Sequence, residues 1–152
     1  MTSFTLDWPV KDSLISYMQT LEDGSVVAID PAVRSETSFI FAADDQASNF
    51  DPATNTGTLQ FLGTAQFSGY GGMMNIIIKN PLLELNGETG VLLIAVGGLL
   101  SPETLLPLAQ LSIVPGSSPL QATVNLTAEG RTVLGEQYSV GQELSPLTVI
   151  AS

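Results

Sequence analysis

Between positions 59 and 67 the chain alternates, with Leu59, Phe61, Gly63, Ala65 and Phe67 on one side and Gln60, Thr64 and Gln66 on the other. A period of two turns one set toward a core and the other toward solvent, which only a half-buried strand satisfies. Short runs of similar character recur at 38–43, 74–79, 82–85, 91–96, 108–114, 120–126 and 147–150. Turn formers separate them: Asn80-Pro81 stops one strand, Asn86-Gly87 is a hairpin signal, and Pro115-Gly116-Ser117-Ser118-Pro119 divides two more. Many short strands with turns between them predict an all-β fold, a mostly antiparallel β-sandwich.

Two segments depart from this pattern. Asp7-Trp8-Pro9 predicts a helix start with Pro9 at its first position; Val10, Leu14, Met18 and Leu21 then recur at helical spacing until Asp23-Gly24 closes the element. Thr127-Ala128-Glu129-Gly130 predicts a brief C-terminal helix with Thr127 as its cap. Residues 44–57 are expected to form a polar loop, and 101–107 a connector with a single helical turn. No repeat or linker divides the sequence, so residues 1–152 are expected to form one domain.

Composition narrows the chemistry. The 152 residues contain no histidine and no cysteine, which excludes disulfides, thiolate metal sites and histidine-based triads. Net charge is −11, from Lys11, Arg34, Lys79 and Arg131 against fifteen acids, so the surface repels phosphate backbones and nucleic acid is not an expected partner. Apolar residues make up 44% of the chain and charged residues 12%, enough for a sizeable core. No apolar run approaches the roughly 18 residues of a membrane-spanning helix, and the N-terminus lacks a basic start with an apolar signal core. The acids Glu84, Glu88, Glu129 and Glu136 form no glycosidase-like pair. Asp44, Asp45, Asn49, Asp51 and Asn55 fit no calcium-loop spacing.

That leaves tyrosine as the best candidate for holding a redox metal. Ser13 and Tyr17 lie one helical turn apart, and Tyr70 sits within Gly69-Tyr70-Gly71-Gly72. On residue type alone, Tyr17 reads as a packed core tyrosine, Ser13 as a helix-surface serine and Tyr70 as a loop aromatic over a sheet edge. Trp8 is expected to anchor the core, and Leu14, Met18, Met73 and Met74 to wall any apolar ligand. Lys11 is the cation nearest these residues in sequence.

Several segments resemble one known family. Trp8-Pro9-Val10-Lys11-Asp12-Ser13, followed by Tyr17, resembles the opening of the HtaA-type haem-binding domain, and residues 57–72 (GTLQFLGTAQFSGYGG) resemble its central strand pair and loop. Asn75 to Pro81, the Asn86-Gly87 hairpin, the Leu-Thr-x-x-Gly element at 126–130 and the Tyr-x-x-Gly turn at 138–141 follow in the family's order. The resemblance implies a non-catalytic domain that captures ferric haem and passes it toward an uptake transporter, at the cell surface or envelope or outside the cell. It implies Tyr17 as the axial iron ligand and Ser13 near the haem propionates. The family's histidine, bonded to that tyrosine, is replaced here by Tyr70. Other haem-uptake proteins are the implied partners, and either a monomer or a homodimer is compatible with the sequence. Two alternatives remain open at this stage: Tyr70 as the ligand, and a sandwich without haem serving interaction or adhesion.

Overall fold

In the computed structural model, residues 3–98, 100–135 and 137–151 are described. The strands are β1 (Phe4–Trp8), β2 (Ser25–Ile29), β3 (Val33–Arg34), β4 (Phe39–Ala43), β5 (Asn49–Asp51), β6 (Thr56–Leu62), β7 (Thr64–Gly69), β8 (Met74–Lys79), β9 (Leu82–Asn86), β10 (Thr89–Val96), β11 (Thr104–Ile113), β12 (Leu120–Leu126) and β13 (Glu143–Ala151). Helix α1 spans Asp12–Thr20 and α2 spans Arg131–Leu134. Among the described residues every strand pairing is antiparallel, as the sequence predicts.

A ten-stranded sheet has the order β3-β4-β1-β13-β12-β11-β10-β9-β6-β5, and β4 also pairs with β6. That extra pairing joins the two ends of the sheet around one core, which leaves fewer open edges than a flat sheet would. A second sheet, β2-β7-β8, covers part of the same core. Phe67 of β7 meets Phe39 of β4 edge-on at 5.6 Å between ring centroids, tying the small sheet to the large one.

The alternation from 59 to 67 is real in its burial but not in its continuity. Leu59, Phe61, Ala65 and Phe67 are all fully buried. Gly63, with φ +113°, separates β6 from β7 and sends them into different sheets. A side chain at Gly63 would strike Ala32, whose backbone nitrogen lies 2.4 Å from an ideal Cβ. Only glycine combines that φ with so close an approach.

The first helix starts later than its sequence signals suggest. Asp7 and Trp8 belong to β1, which pairs with both β13 and β4. Leu6 and Trp8 alternate into the core, and the Trp8 indole Nε1 donates to the Ser145 carbonyl at 2.7 Å, so Trp8 is the expected anchor. Sheet pairing therefore outweighs the Asp-x-Pro start signal. Val10 turns the chain at φ +68°, and α1 begins at Asp12, whose backbone nitrogen donates to Ser145 Oγ at 2.8 Å.

Other differences have similar causes. The expected connector at 101–107 is strand from Thr104, because Pro107 falls where the β10–β11 register shifts and its missing N–H disrupts no regular ladder. Residues 44–57 include β5 and the start of β6 within the expected loop, and β2 and β3 lack a strong alternation. The expected helix at 127–130 is a turn, closed by Thr127 Oγ1 accepting from the Gly130 nitrogen at 2.8 Å; α2 begins only at Arg131, with Gly130 rather than Thr127 at its N-cap.

Candidate functional site

Helix α1 lays Leu14, Ile15 and Met18 against the protein and packs on β2 and β7. Its spacing places Ser13 and Tyr17 together on the outer face. Tyr17 is 45% exposed and is therefore no core tyrosine. The second phenol arrives from the end of β7. Gly69 packs under the helix, where an ideal Cβ would stand 3.2 Å from both Met18 Cε and Leu21 Cδ1. The next residue, Tyr70, opens a single 3-10 turn and is 49% exposed. The hydroxyls of Tyr17 and Tyr70 are hydrogen-bonded to each other. Residues 53 positions apart in sequence thus converge on one point.

Two clefts meet beside this pair. One, of about 430 Å³, is lined by Ser13, Leu14, Tyr17, Tyr70, Met74 and Tyr138, among others. The other, of about 480 Å³, runs between the Tyr70 turn and α2, where Met74, Ile76, Val133 and Leu134 form its apolar walls. Tyr70, Met74 and Gln137 border both. Each volume lies in the range of small-molecule sites, and mostly apolar walls with a few polar groups are their usual make-up.

The structure sorts the expected wall residues. Leu14 and Met74 line the clefts, and Met73 borders the larger one while 91% exposed. Met18 is fully buried beneath α1 and lines neither, because its turn of the helix faces the small sheet. Lys11 directs its Nζ to the Glu143 carbonyl at 3.4 Å. Arg131 is the cation tied directly to a lining residue, with Nε donating to the Tyr138 carbonyl at 2.7 Å. Gln137 and Tyr138 had no assigned role in the sequence; the Tyr-x-x-Gly turn was the signal that marked their neighbourhood. Burial pushes the Tyr138 phenol above its ordinary value of 10.0, so it stays a neutral hydroxyl at physiological pH.

Chemically, the arrangement offers two phenol oxygens in mutual contact, hydroxyls at Ser13 and Tyr138, and apolar walls on either side. Phenolate is a hard oxygen donor suited to a ferric centre, and the second phenol can donate a hydrogen bond to the first. The donor set and walls fit a flat, largely apolar ligand that carries iron.

These features define a class: an antiparallel β domain whose N-terminal helix and a glycine-rich turn present paired phenols to an open cleft. The chain belongs to the HtaA family, whose model, described as Htaa, matches residues 3–150. The C-terminal domain of HtaA from Corynebacterium glutamicum is similar in structure, with TM-score 0.81 and 22% identity over 98% of this chain and 95% of that one. The N-terminal domain of the same protein gives TM-score 0.80 and 22% identity over 99% and 98%. The heme binding protein HtaB of that organism gives TM-score 0.71 and 17% identity over 100% and 96%. At these identities the structural likeness establishes the shared fold. No curated protein sequence matches the chain.

Proposed function

We propose that this chain is a non-catalytic haem-binding domain that holds ferric haem as cargo for uptake at the cell envelope. Tyr17 supplies the phenolate to iron, and the Tyr70 hydroxyl donates a hydrogen bond to that oxygen. The carrying observation is the contact between the Tyr17 and Tyr70 hydroxyls at the edge of two adjoining clefts. Membership of the HtaA family supports the same reading.

A free phenol loses its proton only near pH 10, so coordination at neutral pH depends on the ferric charge and on a donor that stabilises the anion. Tyr70 fills the donor role that imidazole plays in the resembled family. Ser13 and Tyr138 line the cleft beside Tyr17 and offer O–H groups to a propionate. Their help matters because a surface of net charge −11 opposes the approach of a dianion. The porphyrin face gains affinity from burial against Leu14, Met74 and the α2 wall, at about 25 cal/mol per Å² of apolar surface. Other haem-uptake proteins are the proposed partners, with the domain acting alone or as a homodimer.

Hemin titration followed by visible spectroscopy tests the proposal. Saturable binding with a phenolate-type ferric spectrum is expected in the wild type, and loss of that spectrum in Tyr17→Phe. Absence of any saturable change in the wild type ends the haem reading. In that event an interaction or adhesion role draws on the outer face of the small sheet, where Val27, Ile29 and Ile77 are 42%, 47% and 41% exposed.

A further inference from the structure

The turn that carries Tyr70 holds three successive residues in the left-handed region: Tyr70 at φ +54°, Gly71 at +67° and Gly72 at +90°. Around Gly71 and Gly72 an ideal Cβ would meet nothing within 4 Å, so these glycines answer the backbone angle rather than a close approach. Tyr70 has no such freedom. A non-glycine residue at this angle is strained and persists only where its surroundings hold it.

The holding group is visible. Asp23 Oδ1 accepts from the Tyr70 nitrogen at 3.2 Å, and Oδ2 accepts from the Gly71 nitrogen at 2.7 Å. Both carboxylate oxygens are thus spent on two consecutive backbone donors, and hydrogen bonds to an ionised acceptor are about twice as strong as neutral ones. Asp23 belongs to the turn that ends α1, and that turn is itself tightly placed. A Cβ on Gly24 would lie 2.0 Å from the Met18 carbonyl oxygen, so only glycine lets the chain pass this close to the helix end. Asp23 is exposed and takes no part in the core.

We propose that Asp23 is a positioning residue for the phenol pair. Its carboxylate clamps the Tyr70 turn to the end of the helix that bears Tyr17, and the two hydroxyls meet as a result. The consequence for haem rests on the function proposed above; the clamp concerns the protein alone. Released from Asp23, Tyr70 relaxes toward negative φ and its ring leaves Tyr17. Asparagine is no substitute, because its amide nitrogen would oppose one of the two N–H donors. Glutamate keeps both oxygens.

The test uses the full chain as wild type, Asp23→Asn and Asp23→Glu. Amide hydrogen exchange at Tyr70 and Gly71 and the ring-to-ring nuclear Overhauser contact between Tyr17 and Tyr70 are measured without haem. Transfer of bound hemin to excess apomyoglobin is then timed. Asp23→Asn is expected to lose amide protection and ring contact while melting like the wild type, and to release hemin roughly tenfold faster or more, as when the partner orienting a metal ligand is removed. Asp23→Glu is expected to retain protection and slow release. Persistence of the ring contact in Asp23→Asn, or hemin release at the wild-type rate, overturns the proposal. So does a global failure of Asp23→Asn to fold, since the clamp is local. Should the wild type take up no hemin, the haem reading falls, while amide exchange and ring contact still decide the clamp.

Discussion

The closed sheet and the tyrosine rim use aromatic residues in opposite ways. Inside the sheet, Trp8, Phe39, Phe41 and Phe61 are fully buried, and the one indole N–H among them finds the Ser145 carbonyl. At the rim, Tyr17 and Tyr70 are about half exposed, and their hydroxyls bond to each other rather than to the framework. The first arrangement stabilises the fold through area removed from water. The second leaves polar atoms reachable by a ligand, at a position the rest of the molecule holds still. The two regions are therefore expected to separate stability from binding.

Trp8→Ala is the strongest way to break that contrast. It should cost about 3–5 kcal/mol in denaturant unfolding, through the cavity it leaves and the unpaired carbonyl. Tyr17→Phe, by contrast, should unfold within about 0.5 kcal/mol of the wild type while losing the phenolate spectrum, because an exposed hydroxyl contributes little to folding. A Tyr17→Phe variant as unstable as Trp8→Ala would show that the rim belongs to the core after all.

Tyr70→His sharpens the comparison within the rim. Imidazole and phenol are both able donors, so hemin affinity measured by titration should change less than about tenfold, the lower end of the effect of losing a supporting bond outright. A larger gain would mean that the phenol pair is a poor site. The smallest effect concerns Tyr138, whose folded value lies above its unfolded 10.0 because burial disfavours the anion. Its contribution to stability is fully present below pH 10 and is lost as pH rises through the raised folded value. Tyr138→Phe should flatten that alkaline decline in urea midpoints and leave the neutral midpoint nearly unchanged.

Much of the fold was legible in local pattern, and the exceptions are instructive. The buried parity of Leu59 to Phe67 could be read directly, but the break at Gly63 could not. A glycine in an alternating run is silent about whether it continues the strand or turns it, and the nearness of Ala32 decides. The expected connector ends at Pro107, yet that residue lies in β11 near its register shift with β10, and Pro146 lies likewise in β13 near its register shift with β12. Pro9 looked like a helix start, until pairing of β1 on both sides moved that start to Asp12.

For the candidate site, the chain by itself determined the available chemistry. Without histidine or cysteine, and with Ser13 and Tyr17 one helical turn apart, phenol and hydroxyl groups were the donors it could place there. The meeting of Tyr17 with Tyr70, the entry of Gln137 and Tyr138 into the clefts, and the retreat of Met18 beneath the helix were decided by tertiary structure alone. Helical spacing relates residues within a turn or two. Contacts between α1, the end of β7 and the loop after α2 depend on how the two sheets close around their shared core, and no local pattern carries that distance.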